Sequence, residues 1–269
     1  MDPLLDQLLD TLAQAQTVLV TVGRTWGSVP RETGAWMAVT PHDVIGTIGG
    51  GHLEWDAIRR ARESLASGHS LREVRQIALG PSLGQCCGGR LELVWQPVGA
   101  ANAPQLARDL AAPAQPVALF GGGHVGQALV RALAPLPYAV HWIDSRDGVF
   151  PPDLPARVRA EHSDPVQAAV DDLRPGSHVL VMSFSHAEDL DIVAACLQRQ
   201  RRLGDLGFIG LIGSRTKWAR FGHRLQAMGF SAQETAQVTC PIGLPGIAGK
   251  APAVIAASVV AQLLLVDTL

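Results

Sequence analysis

From about residue 116 the chain alternates apolar strands with helices. "PVALF" leads into a glycine loop and a helix, "YAVHWID" follows, "HVLVMSF" precedes a helix starting near Ala187, and "GFIGLIG" precedes two more helices. Alternation of this kind implies a parallel sheet covered by helices on both faces. The expected fold class is therefore α/β, with a C-terminal Rossmann-like doubly wound parallel sheet over 116–269. A smaller mixed α+β domain over 1–97 precedes it, and 98–115 form a linker and connecting helix. A length of 269 residues suits two compact domains, each burying its own core.

The first domain opens with "MDPLLDQLLDTLAQAQ", an amphipathic helix with Asp2 as cap, Pro3 in its first turn and Leu4, Leu5, Leu8, Leu9 and Leu12 along one face. "TVLVTVG" and "AWMAVT" read as strands around an irregular loop, and "VIGTIGGGHLEWDAIRRARESLA" runs from a short strand through three glycines into a helix. "REVRQIAL" and "GRLELVWQP" add two strands, and uncharged "PVGAANAPQ" reads as a linker near 98–104.

The sharpest motif is "VALFGGGHVGQALVRAL", where Gly121-x-Gly123-x-x-Gly126 lies between a strand and a helix burying Val125, Leu129 and Leu133. Gly121 can make the tight turn, Gly123 lets a phosphate approach the backbone, and Gly126 lets helix and strand pack closely. Gly122 and His124 complete the loop. Asp144 ends the next strand, eighteen positions after Gly126, where a ribose-binding acid belongs. Two alternatives stand beside this: glycines that serve packing alone, and an Asp144 that begins the turn "DSRDG". Arg146 either reads a phosphate or sits in solvent.

"GPSLGQCCGGRLEL" raises a different chemistry. Adjacent Cα atoms lie about 3.8 Å apart, below the disulfide range, so Cys86 and Cys87 are expected as free thiols. The surrounding glycines leave sulfur accessible, Arg90 can favour a thiolate, and thiolates suit soft metals. The bland alternative is two small apolar side chains in a turn.

With 17% charged residues, 47% hydrophobic residues and a net charge of -2, the chain has no positive field for polyanions, so nucleic acid is not an expected partner. The most apolar run, "APAVIAASVVAQLLLV", is short for a bilayer span and reads as a buried core helix, so no membrane association is expected. Four irregularly spaced cysteines and an N-terminus unlike a secretion signal fit a reducing cytoplasm. No G-x-S-x-G elbow, H-E-x-x-H or P-loop occurs, which leaves hydrolase and NTPase readings without a site.

Six stretches in order, "GSVPRETGAWMAV", "GTIGGGHLEWDAI", "LGQCCGGRLEL", "FGGGHVGQALVRALAPLPYAVHWIDSR", "FIGLIGSRTKWARF" and "CPIGLPGIAGKAPAVIAASVVAQLL", resemble the xanthine dehydrogenase accessory protein family (XdhC/CoxI). That resemblance implies a chaperone without turnover of its own. It would bind the molybdenum cofactor, as molybdopterin or its cytosine dinucleotide form, and shield it while a cysteine desulfurase-type sulfur donor acts. It would then pass the cofactor to apo xanthine dehydrogenase or a related molybdenum hydroxylase. The resemblance also implies a homodimer, and it implies a thiol of Cys86 or Cys87 near the metal, Cys87 being the candidate metal ligand. One departure is "SFSHAEDLDI", where the family more often has Thr-His-Ser-His: Ser183 and Phe184 replace the first pair, while His186 and Asp189 remain.

Further cofactor-binding candidates have two readings each. Ser214 and Lys217, in "GLIGSRTKWARF", either hold a phosphate or the pterin oxygens at a helix start, or form a simple cap. Cys240, in "CPIGLPGIAGK", offers a second sulfur contact or belongs to a rigid turn. His124 and His186 can titrate in a cofactor site or be structural. Gly49, Gly50 and Gly51 form a small-ligand lip or a close backbone contact. Two rivals to the chaperone are an NAD(P)-dependent oxidoreductase using the same glycine loop and a non-catalytic scaffold with a vestigial nucleotide fold.

Overall fold

A computed structural model describes residues 3–68, 72–80, 88–111 and 113–268. Asp2, Cys86 and Cys87, to which the sequence assigns roles, lie outside the described residues. The chain divides into two compact units, Met1–Ala112 and Pro113–Leu269.

The first unit comprises α1 (Pro3–Leu12), β1 (Thr17–Trp26), β2 (Trp36–Val39), β3 (Val44–Gly46), α2 (Gly51–Ser67), β4 (Glu73–Ala78), β5 (Arg90–Val98), a 3₁₀ turn (Ala100–Asn102) and α3 (Ala103–Asp109). Its five strands pair antiparallel in the order β3-β2-β1-β5-β4. Successive side chains of a strand face opposite ways, and β1 shows the result. Val18, Val20 and Val22 join Met37, Leu91, Leu93 and Trp95 beneath Leu53, Ala57 and Ala61 of α2. Leu19 turns to the other face, with Ala38 and Ile45, beneath α1 and Leu106 of α3. In α1 the buried positions are Leu5, Leu8 and Leu12, at helical spacing. Leu4, expected on that face, is exposed. Burial of Leu5 and Leu8 is complete and contributes roughly 1.5–3 kcal/mol each, so Leu8→Asp would detach the helix.

Residues 98–104, read from sequence as a linker, are instead structured within this unit. Val98 ends β5 buried, Asn102 Oδ1 accepts the Gly99 N–H at 2.9 Å, and Pro104 sits in the first turn of α3. Proline is tolerated there because its missing N–H would have no helical partner.

The second unit runs β6 (Gln115–Phe120), α4 (His124–Leu133), β7 (Tyr138–Asp144), β8 (Val158–His162), a 3₁₀ segment (Val166–Asp172), β9 (His178–Val181), α5 (His186–Leu203), β10 (Phe208–Leu211), α6 (Arg215–Ala227), α7 (Ala232–Thr235), β11 (Val238–Thr239) and α8 (Pro252–Val266). All six strands are parallel, in the order β11-β10-β9-β6-β7-β8. Chain direction across the sheet reverses between β6 and β9. In doubly wound sheets the crevice beyond the strand ends at such a point is the ligand site.

Both faces are covered, as strand–helix alternation predicts. Leu190, Val193, Leu197, Phe221 and Leu225 of α5 and α6 pack with Phe120, Val179 and Val181. Leu129 and Leu133 of α4 and Val259 and Leu263 of α8 pack with Leu119, Val140 and Leu180 on the other face. The α8 segment departs from its expected full burial, because Leu264 and Leu265 remain exposed and only one stripe packs. Two strands escaped the sequence reading: β8, an edge strand with Arg159 exposed and Glu161 half-buried, and β11, only two residues long.

Candidate functional site

The glycine loop leaves β6 under close steric constraint. Gly121 has φ 128, and a Cβ there would lie 2.1 Å from the Met182 carbonyl oxygen; only glycine meets both conditions. A Cβ on Gly126 would lie 2.0 Å from the Gly121 oxygen, which already accepts the Trp142 indole N–H at 2.9 Å. Gly122 packs against Val149 and donates its N–H to Asp144 Oδ2 at 2.6 Å. Gly123, the cap position of α4, differs from the other three: among the described residues a Cβ there would meet nothing within 4 Å, and no side chain caps the helix. The start of α4 thus faces open space with its amide dipoles free for an anion. His124 is exposed at the first position of that helix.

Asp144 is buried, and its two oxygens are occupied. Oδ1 accepts the Arg146 amide and Nε at 2.8 and 2.9 Å, while Oδ2 accepts Gly122 N–H and Arg146 Nη2 at 2.6 and 2.9 Å. Burial would raise its pKa, but the Arg146 side chain, with the Gly122 and Arg146 amides, holds it below the ordinary aspartate value. As placed, the carboxylate braces the glycine loop, and a ribose hydroxyl would have to displace Arg146 to reach it. Arg146 is not simply solvated either: its guanidinium lies 4.7 Å from the centroid of the Phe184 ring.

A second cluster lies where β9, β10 and β11 end. Asp189, in the first turn of α5, is 2% exposed and accepts both the amide and hydroxyl of Ser183 through Oδ1, each at 2.8 Å. Its other oxygen meets Lys217 Nζ at 2.5 Å, and that ammonium also donates to the Ile212 carbonyl at 2.8 Å. Lys217 is therefore committed inward. Ser214 accepts the Lys217 N–H as cap of α6, which is the simpler of its two sequence readings. His186 is exposed at the first position of α5, its ring edge-on to Phe221 at 6.5 Å. Cys240 lies against Gly213, where a Cβ would be 3.1 Å from its Sγ. Burial pushes its thiol pKa up to about 11, with Lys217 pulling down and Asp189 pushing up. It is a neutral thiol near pH 7, a weak nucleophile unless a metal displaces its proton. Cys196 is wholly buried in the core, its pKa pushed up to about 12 by burial.

Below this cluster, the loop 241–250 closes over the starts of α6 and α8 to leave a cavity of about 490 Å³, whose lining includes Ile212, Ile242, Ile255, Arg215 and Lys250. The loop itself is tied to α8, since Ser258 Oγ accepts the Leu244 N–H and Gln262 Oε1 the Gly243 N–H.

In the first unit, the three glycines make the close backbone contact that was the second of their two readings. They have φ 121, 74 and 66, and wrap the chain around the unit's own carboxylate. Glu54 Oε2 accepts the Thr47 hydroxyl at 2.5 Å, the Ile48 amide at 2.9 Å and the Gly50 amide at 3.1 Å. Arg90, read as a partner for thiolate, has its guanidinium 4.5 Å from the centroid of the Trp26 ring. Gly89, just before β5, is held close to the residue after β1: its N–H donates to the Ser28 oxygen at 3.0 Å, and a Cβ would lie 2.3 Å from that oxygen.

Sequence reading thus located the Gly121–Gly126 loop and Asp144 together, and named Lys217 and Cys240 separately; the structure brings both against Gly213. It missed the partnership of Asp189 with Lys217, and the exposed ring of Phe184 beside Arg146. Among the described residues, no group of three or more His, Cys, Asp or Glu side chains is arranged to hold a metal ion. No helix among them is long and apolar enough to cross a membrane.

Comparison with known proteins agrees with this architecture. An uncharacterized protein of Escherichia coli (strain K12), YqeB, is 26% identical over 243 residues, covering 88% of this chain, while the chain spans 41% of that protein's length. The crystal structure of a xanthine dehydrogenase from Bacillus halodurans superposes with a TM-score of 0.78 at 19% identity, over 100% of this chain and 96% of that one, a likeness of fold. The family model described as the XdhC Rossmann domain matches residues 117–263, and that of the XdhC and CoxI family matches 12–76. With matches falling in both units, and one of them spanning the glycine loop, Asp144, Lys217 and Cys240, the chain belongs to the XdhC and CoxI family.

Proposed function

We propose that this protein is an accessory chaperone for xanthine dehydrogenase or a related molybdenum hydroxylase, binding the molybdenum cofactor, protecting it during sulfuration and delivering it to the apoenzyme. The observation that carries the reading is the open start of α4 at Gly123, in a chain of this family. A phosphate of molybdopterin, or of its cytosine dinucleotide form, suits that position, because the helix end supplies unbonded amides and Gly123 has no side chain to obstruct approach. Gly121, Gly122 and Gly126 shape the loop and Asp144 braces it. His124 and His186, each exposed at a helix start, are available to the cofactor's polar edge. Ser214 and Lys217 act indirectly in this reading, by holding α6 and Asp189 in place.

Cys86 and Cys87 remain the proposed sulfur contacts, Cys87 with the metal, and Cys240 is a reserve thiol that would need deprotonation on binding. The bound cofactor brings the molybdenum–sulfur chemistry, and the chain's own task is to hold it and keep water away. A cysteine desulfurase-type donor, a homodimeric state and a cytoplasmic setting complete the proposal. The nicotinamide-dependent alternative is disfavoured by Asp144, whose oxygens are already taken by Arg146 and Gly122.

The test is to purify the chain from cells that make molybdopterin, oxidise any bound ligand, and measure pterin fluorescence together with molybdenum by elemental analysis. Both should be present in comparable amounts, and Cys87→Ala should lower retention. Nicotinamide binding with reductase activity, and no pterin, would overturn the reading.

A further inference from the structure

Phe184 is 66% exposed although its backbone is fixed. Its N–H donates to Glu188 Oε2 at 3.2 Å, and the other oxygen of Glu188 accepts the Ser145 hydroxyl at 2.7 Å. One carboxylate thus pins the loop after β9 to the loop after β7. Arg146 lies against the ring at 4.7 Å, and is itself held by Asp144, which is bonded to Gly122 of the glycine loop. A continuous series of contacts therefore runs from the open helix start to an exposed aromatic ring, all within the crevice where chain direction reverses. The ring remains largely open to solvent with Arg146 in place, and Arg146 Nη1 makes no hydrogen bond to a described residue.

From this arrangement we infer that Phe184 is a stacking platform for a flat nitrogen heterocycle of the bound ligand, with Arg146 Nη1 offering a donor to the heterocycle's carbonyl edge. Aromatic side chains bind such rings through their π-face with little regard to ring identity, and guanidinium groups favour the same planar partners. The chemistry is shared by a pterin and by a cytosine base. The inference rests on the proposed cofactor-binding role and adds to it the residue that grips the ring.

The full chain, produced in cells unable to synthesise molybdopterin, is titrated by calorimetry with free pterin and separately with cytidine monophosphate. Wild type should bind at least one probe. Phe184→Leu should weaken that probe about tenfold, while Phe184→Trp should keep it, a division that apolar packing alone would not produce. Loss confined to pterin assigns the platform to the pterin; loss confined to cytidine monophosphate assigns it to the base of the dinucleotide form. Equal binding by wild type and Phe184→Leu, or no binding of either probe at millimolar concentration, overturns the platform. Preparations from cofactor-producing cells separate the two claims. Wild type that carries pterin and molybdenum, with Phe184→Leu equal to it in both assays, sinks the platform and leaves the chaperone. Wild type without either, but with probe binding that depends on Phe184, does the reverse.

Discussion

Lys217 Nζ lies 2.5 Å from Asp189 Oδ2 across 28 positions of sequence, joining the first turn of α6 to the first turn of α5. Both side chains are almost wholly withdrawn from water, at 10% and 4% exposure, so their attraction is only lightly screened. Removing one member leaves the other uncompensated, which costs more than the pair itself contributes. Lys217→Met is therefore expected to destabilise the protein by about 3 kcal/mol. The double variant Lys217→Met with Asp189→Leu should recover much of that loss. Urea unfolding of the three proteins measures it, and a double variant no more stable than the single one would contradict the argument.

Gly126 and Gly123 belong to one loop but should respond oppositely to alanine. At Gly126 the new methyl would meet the Gly121 backbone oxygen at 2.0 Å, so the loop or helix must move, with an expected loss of about 3 kcal/mol. At Gly123 the methyl enters open space at φ −72, which alanine adopts readily. Gly123→Ala should keep the wild-type melting temperature to within a degree or two, while pterin retention from cofactor-producing cells falls. Calorimetric melting and pterin fluorescence read the two effects separately.

Glu54 makes the first unit sensitive to acid. Burial would raise its pKa, but bonds from Thr47, Gly50, Ile48 and Gly49 outweigh that and hold it below the usual glutamate value of 4.5. A carboxyl depressed on folding contributes stability that is present in full above its unfolded pKa and is lost as pH falls through the folded value. Glu54→Gln should therefore be less stable than wild type by about 2 kcal/mol at pH 7. The gap should close progressively below pH 4.5. Urea midpoints at pH 7, 5 and 3 decide it, and a gap independent of pH would remove the carboxylate from the explanation.

How far each of these features could be read from sequence follows from the range of its contacts. The Gly121–Gly126 loop and Asp144 were legible because a strand, a tight turn and a helix lie in one short stretch with fixed spacing. Ser214 was legible as a position but ambiguous in role, since a cap and an anion site demand the same residue type. Glu54 was missed because three glycines resemble a ligand loop, and nothing local says that the helix's own carboxylate returns to accept its amides. Pro104 was counted toward a linker although proline also marks a helix start. Asp189 with Lys217, and Arg146 with Phe184, were not legible as pairs: their partnerships arise only when separate strand ends come together.

Cys240 offers a test of chemistry rather than stability. Its thiol, half-buried against Gly213, has its pKa pushed up to about 11, chiefly by burial, with Lys217 opposing and Asp189 assisting. Only the thiolate alkylates at an appreciable rate, so reaction at neutral pH should be slow and should still be rising at pH 10. Iodoacetamide labelling followed by peptide mass spectrometry gives the rate at this site alone. Asp189→Asn removes the negative charge and leaves Lys217 acting on the thiol, so the same rise should begin at lower pH. Labelling of Cys240 that levels off near pH 8 in the unaltered protein would show a thiolate already stabilised, and would move this cysteine from a reserve position to a direct part in holding the cofactor.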